Sequence, residues 1–355
     1  KAWNTANLAT PSITDGSAHF QPTLYSGNSS TQEVNQSGNS TFTPGWVWIK
    51  ARNGAGYSHQ LFDQVRGATK RIFSDATSAE ATTADTLTSF DSDGFSLGGQ
   101  VAVNQTGKNM VAWQWKANGA GSSNEDGATT STASANTTSG FSIVKWTGTG
   151  ANTTLGHGLG VAPQMILVKN LADADSWVVY HEDVGATKGL TLDTTATPYT
   201  ASTFFNNTAP TSSVFSIGSG GRTNGSSDGM IAYCFAEIPG YSSIGSYKGN
   251  GSADGTFVYT NGMKPAFIIF KNSNSGNNWD MMDTQRSPIN PADQDLQPST
   301  SSAEYTPGNQ VDYLSNGFKL RTASGNINGS GNTIIYMAFA ENPFGGDGVA
   351  PATAR

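Results

Sequence analysis

One pattern, laid down three times along the chain, limits the possible folds more than any other feature. It is a proline, a short apolar run and a lysine: Pro44-Gly45-Trp46-Val47-Trp48-Ile49-Lys50, Pro163-Gln164-Met165-Ile166-Leu167-Val168-Lys169 and Pro265-Ala266-Phe267-Ile268-Ile269-Phe270-Lys271. Further anchors keep one order around it. Upstream, an aromatic run ends at Gly27, Gly148 or Gly249. Downstream come Leu61-Phe62-Asp63, Val179-Tyr180-His181 and Met281-Met282-Asp283. Gly67-Ala68-Thr69-Lys70 then recurs as Gly185-Ala186-Thr187-Lys188. The third copy departs there to Ser287-Pro288-Ile289-Asn290, but regains Ser302-Ala303-Glu304 against Ser78-Ala79-Glu80. Each copy closes on an apolar strand ending at Trp115, Phe235 or Phe339. Self-similarity of this kind marks a supersecondary unit built several times over.

The runs inside each copy are short, β-branched or aromatic, and bounded by Gly, Asn and Pro, which is strand and turn chemistry. Charged residues make up 13% of the chain, half the usual share, so the Lys/Glu-rich surfaces of a helical protein are missing. The fold class expected is therefore all-β, as three tandem antiparallel β-sandwich repeats of jelly-roll type. The boundaries expected are 1–116 for the first unit, 117–136 for a Gly/Ser/Asn/Thr-rich linker, 137–239 for the second unit and 240–355 for the third with its tail. The opening residues Lys1-Ala2-Trp3-Asn4 hold neither Met nor an apolar stretch, so the sequence reads as a processed product or a piece of a longer chain.

A net charge of −7 leaves no cationic surface for nucleic acid or anionic lipid. The apolar runs are far shorter than the ~20 residues of a spanning helix. A single cysteine, Cys234, excludes an internal disulfide framework and a Cys-based metal cluster. The four histidines, His19, His59, His157 and His181, form no His-x-His or His-x-x-x-His pair, so no metal or other cofactor is expected. Asp91-Ser92-Asp93-Gly94 and Ser227-Asp228-Gly229 could lend oxygens to a calcium ion, but fit hairpin turns better.

No nucleophile elbow or phosphate loop appears. Glu237 and Glu341 could form a glycosidase pair, yet they fall at equivalent places in different copies, and an enzyme needs both carboxylates in one cleft. The expectation is a non-enzymatic protein. Trp177 and Trp279 occupy equivalent positions, with His59 in the first copy, and are the candidate binding residues: exposed indoles stack on sugar faces, while buried ones fill cores.

Several segments together resemble a family of phage virion proteins, abundant in marine phages and described as tail-fibre-like or of unknown function. They are Trp3-Asn4-Thr5-Ala6-Asn7-Leu8, Val65-Arg66-Gly67-Ala68-Thr69-Lys70, Thr88-Ser89-Phe90-Asp91-Ser92-Asp93-Gly94-Phe95, Ala232-Tyr233-Cys234-Phe235-Ala236-Glu237, Gly249-Asn250-Gly251-Ser252-Ala253-Asp254-Gly255 and Glu341-Asn342-Pro343-Phe344-Gly345-Gly346. The resemblance implies a virion-surface location, either in a tail fibre that binds a host cell-surface glycan or envelope protein, or on the capsid exterior as a decoration protein. It also implies contacts with other virion proteins and assembly as a homotrimer. A polysaccharide depolymerase is the third expectation.

Overall fold

The computed structural model describes residues 11–343 and 352–353. The opening motif at 3–8 and the closing run from 344 lie outside them. The described chain is antiparallel β-structure joined by turns, with helices of only four residues. All-β is the class the sequence composition requires.

In the first stretch, the strands are β1 (Phe20–Ser26), β2 (Gln32–Asn35), β3 (Trp46–Ala51), β4 (Gln60–Asp63), β5 (Leu87–Asp91), β6 (Gly94–Leu97) and β7 (Asn109–Trp115). They form a four-stranded sheet ordered β1-β7-β3-β4 and a smaller one ordered β2-β6-β5. The second stretch supplies β8 (Phe141–Thr147), β9 (Thr153–Gly156), β10 (Met165–Asn170), β11 (Val178–His181), β12 (Val214–Ile217) and β13 (Gly229–Phe235). Its large sheet runs β8-β13-β10-β11 and its small one β9-β12. The third has β14 (Ser242–Lys248), β15 (Phe257–Tyr259), β16 (Met263–Asn272), β17 (Trp279–Asp283), β18 (Val311–Leu314), β19 (Gly317–Leu320) and β20 (Thr333–Pro343), ordered β14-β20-β16-β17 and β15-β19-β18. Each large sheet thus takes its first, last, second and third long strands in that spatial order.

Stretch 117–136, expected as a linker, instead carries two strands, Ser122–Asn124 and Ser131–Asn136, which extend the second large sheet beyond β8. Ser131, Ala133 and Ser134 are buried there. Small polar residues can line a sheet as readily as they line a flexible tether.

The turns after β1, β8 and β14 show why glycine recurs. A Cβ on Gly27, Gly148 or Gly249 would stand 2.2, 2.0 or 2.4 Å from a backbone oxygen. The chain is drawn in by a buried asparagine at the end of a four-residue helix. Asn104, Asn224 and Asn328 each accept through Oδ1 from the backbone N–H of Asn28, Thr149 and Asn250, all at 2.9 Å. Their amide groups donate to nearby carbonyls, so the clip leaves no polar group stranded. Pro44 and Pro163 precede their strands, while Pro265 falls within β16 where the register with β20 shifts, as a residue without an N–H requires.

The large sheets are buried on both faces, which accounts for continuous apolar runs in place of alternation. Val47, Ile49, Phe62 and Ala112 face inward toward their own small sheet, as do Ile166, Val168, Val144 and Ala232 in the second unit. The alternate residues, among them Trp46, Trp48, Trp113, Trp115, Leu167, Tyr233, Phe267 and Phe339, belong to one core to which all three large sheets contribute. At its centre Trp115, Phe235 and Phe339, the last residues of the three closing runs, form a triangle with ring centroids 6.5, 5.8 and 5.9 Å apart. Phe20, Phe141 and Phe267 pack around it.

A core shared in this way makes the units interdependent. Phe339→Ala removes contacts to rings from all three units and should cost about 3–5 kcal/mol. Calorimetry should show one transition for the wild type and one, shifted down, for the variant. Separate transitions, with only one of them displaced, would contradict the shared core.

Candidate functional site

Many of the side chains singled out by the sequence, among them His59, His181, Trp177, Trp279 and the repeat lysines, lie at the seams between the units. Equivalent positions near the start of β4, β11 and β17 carry His59, Trp177 and Trp279. The His59 Nε2–H donates to the Gln297 carbonyl at 3.1 Å, the Trp177 indole N–H to the Phe73 carbonyl at 2.7 Å, and the Trp279 indole N–H to the Thr191 carbonyl at 2.9 Å. The first unit therefore reaches to the third, the third to the second and the second to the first. This is a head-to-tail arrangement that closes on itself, as a cyclic oligomer does, but within one chain. The histidine tautomer is fixed, because Nδ1 accepts from the Trp48 indole at 2.8 Å. Burial, reinforced by the Lys50 ammonium, holds His59 well below the usual imidazole range.

The three repeat lysines follow the same cycle. Lys50 Nζ reaches Ser301 O at 3.3 Å, Lys169 Nζ reaches Thr77 O at 2.9 Å and Lys271 Nζ reaches Thr195 O at 2.9 Å. All three residues are fully buried, and desolvation lowers each ammonium to about 8 against partial compensation from nearby aspartates. These lysines are straps between units, with their charges turned into the protein.

A third set lies deeper. Tyr233 donates its hydroxyl to Asp63 Oδ2 at 2.7 Å, and Trp113 donates its indole N–H to Asp283 Oδ2 at 3.0 Å, each across a seam. Both carboxylates are also bound by an arginine three residues on, Arg66 or Arg286, at 2.5 Å. Each guanidinium reaches further to Glu80 at 3.2 Å or Glu304 at 3.0 Å. At the remaining seam the set is replaced as a whole. His181 stands in place of the aspartate, Val184 in place of the arginine and Met337 in place of the aromatic donor. The His181 Nε2–H points to the Tyr336 carbonyl at 3.4 Å, its Nδ1 accepts from the Asp183 N–H at 3.2 Å, and burial lowers it to about 4.

This geometry corrects the stacking expectation. Trp177 and Trp279 are 0% and 1% exposed, so neither presents a ring face to a sugar. Glu237 accepts from the Ile244 N–H at 2.9 Å and the Asn261 amide at 2.8 Å, tying down the connection between second and third units. Glu341 lies 3.9 Å from Lys264. The Asp91 carboxylate accepts from Ser89 and Ser96 at 2.8 and 2.7 Å, which is turn chemistry, and Asp228 accepts from Asn170 at 2.9 Å. His157 donates from Nε2 to the Thr211 carbonyl at 3.1 Å. Cys234 is buried, and desolvation pushes its thiol far up. Among the described residues no three His, Cys, Asp or Glu side chains gather as a metal site would require.

Sequence reasoning missed two residues at the surface. Phe257 and Tyr259 on β15 are 47% and 58% exposed. Comparison of the small sheets position by position would have shown them, because the corresponding places hold Glu33 and Asn35 on β2 and Thr154 and Gly156 on β9.

The chain belongs to a family described as a domain of unknown function (DUF7483), whose model matches residues 15–343. No curated protein matches it.

The seam chemistry sets an acid limit on stability. His181 titrates near 6.5 when unfolded and near 4 when folded, so between those values the unfolded chain binds more protons. Its contribution is complete above about pH 6.5 and is lost as pH falls toward 4. Urea unfolding of wild type and His181→Gln should show the wild type losing roughly 2 kcal/mol more than the variant between pH 7 and 5. Parallel pH profiles would refute this role for His181.

Proposed function

We propose that this protein is a non-enzymatic recognition scaffold on a phage virion, forming part of a tail-fibre-like appendage that contacts a host cell-surface glycan or envelope protein. The closed cycle of seams carries this reading. Of the groups able to do acid–base chemistry, His59, His181, Asp63, Asp283 and the three repeat lysines are engaged in holding units together, while Asp280 and Asp295 are buried against each other within the third unit. The small sheets and polar turns are left as the surface of a body braced from within. Buried ion pairs such as Asp63–Arg66 and Asp283–Arg286 are screened little by salt, which suits an appendage exposed to sea-water ionic strength.

The inner faces, which separate β-sandwich chains would use to associate, are already covered within one chain. Assembly into a homotrimer, and contacts with other virion proteins, would therefore use other surfaces.

Two measurements test the proposal. Antibodies raised against the chain should label the tail end of intact particles in electron micrographs. The purified protein, added to host cells before the phage, should slow adsorption. Label confined to capsid faces, with adsorption unchanged, would replace this reading with a decoration protein.

A further inference from the structure

The outer face of the third small sheet differs from its two counterparts in a way folding does not require. On β15, Val258 is buried, while Phe257 and Tyr259 flank it and point outward. Phe257 lies opposite Lys319 and Tyr259 opposite Gly317 on β19, with Asp312 and Leu314 beyond them on β18. The Phe257 ring leans toward the central strand, since a Cβ on Gly317 would sit 3.1 Å from its Cε2. That glycine is needed in any case, as its Cβ would meet Val258 O at 2.1 Å, just as one on Gly94 would meet Val34 O at 2.0 Å.

The first unit provides an internal control: its small sheet forms with the exposed Glu33 and Asn35 at the same two places. In the second unit the places are partly covered, since Thr154 Oγ1 accepts from the Ala128 N–H at 2.9 Å and a Cβ on Gly156 would stand 1.6 Å from Asn124 Oδ1. Two half-exposed aromatic rings on a three-residue edge strand therefore add nothing that the scaffold needs. The surroundings narrow what they could meet. Lys319 pairs with Asp254 at 2.5 Å and Arg321 with Asp312 at 3.5 Å, so the charges bordering the rings are mutually neutralised while their polar atoms stay at the surface. The apolar area is also small. An aromatic side chain buries about 150–250 Å² in full, and a stable protein interface needs about 800 Å² per partner. Two half-exposed rings fall well short of an anchor for a second copy or another protein. They match the footprint of one or two sugar rings.

We propose that Phe257 and Tyr259 form a stacking platform for an uncharged polysaccharide, with the Lys319–Asp254 and Arg321–Asp312 pairs donating and accepting hydrogen bonds at its margin. This deepens the recognition reading, and rests on it for the source of the glycan. The site replaces the one expected at Trp177 and Trp279.

The test is affinity electrophoresis of the full chain through gels containing dextran, mannan, a soluble β-glucan or galactan, with alginate as the charged comparison. At least one neutral polysaccharide should retard the wild type. The double variant Phe257→Thr, Tyr259→Asn, which borrows side chains from the other units, should melt like the wild type and bind about ten-fold more weakly or worse. Tyr199→Asn, at a lone exposed aromatic elsewhere, should leave retardation unchanged. The proposal is overturned if no neutral polysaccharide retards the wild type, if retardation persists in the double variant, or if only alginate binds. It is also overturned if the double variant's sole effect is to abolish a concentration-dependent association seen by sedimentation. Tail labelling and adsorption blocking without polysaccharide binding would remove this site and leave the recognition reading standing.

Discussion

The three large sheets cannot be solvated on their inner faces, and the rest of the architecture follows from that constraint. Trp46, Trp48, Trp113 and Trp115 are all at most 2% exposed, yet the small sheet of their own unit covers only the opposite face. Cover for the tryptophans has to come from the neighbouring units. Trp46 stacks on Tyr233 at 4.4 Å, and Trp115 lies 5.9 Å from Phe267, so the first unit completes its core with side chains from both others. A single unit of this kind would expose a wide aromatic face and aggregate or fail to fold. Three sheets turned toward one centre leave no such face.

Hydrophobic contact alone would not fix the angle at which these sheets meet. Direction comes from the polar cross-links. An indole or imidazole N–H aimed at one backbone carbonyl, and an ammonium aimed at another, admit little rotation between units. The Asp–Arg–Glu sets go further, since a buried ion pair is costly unless every lone pair and proton is used. Asp283 meets that demand with the N–H groups of Gln285 and Arg286, the Arg286 guanidinium and the Trp113 indole. The seam with His181 meets it by a different route, replacing charge with a neutral ring and apolar neighbours. Both solutions leave no uncompensated charge. A mixture of the two, such as an aspartate facing Met337 and Val184, would strand one.

How far the sequence discloses this depends on what its signals encode. Strand positions were visible because proline, the apolar run and lysine recur around each central strand, and the observed β3, β10 and β16 coincide with them. The fate of the tryptophans was not. In a strand buried on both faces, alternation no longer separates inside from outside, so Trp177 and Trp279 could be placed on a sheet but not on a side of it. Their partners, and that of His59, were equally hidden, because Phe73 O, Thr191 O and Gln297 O are backbone atoms that any residue would supply. The stretch at 117–136 misled through composition: Ser, Thr and Asn describe a tether and an edge hairpin equally well, and only pairing with β8 distinguishes them.

The division between inner and outer faces also explains where the copies have drifted apart. A change at Asp63 is felt in two units and one at Trp115 in all three, so inward positions can alter only in concert, as the His181, Val184 and Met337 replacement did. Outward positions on the small sheets are held less tightly, Glu33 and Asn35 being exposed and Phe257 and Tyr259 half-exposed, although Thr154 is bonded to the Ala128 backbone. Glu33, Thr154 and Phe257 occupy one such place with an acid, a hydroxyl and an aromatic ring, while Val34, Leu155 and Val258 beside them stay apolar and buried. One scaffold thus carries outer surfaces that differ from unit to unit. Of these three positions, the one holding a half-exposed aromatic in place of a polar side chain departs furthest from what folding alone would select.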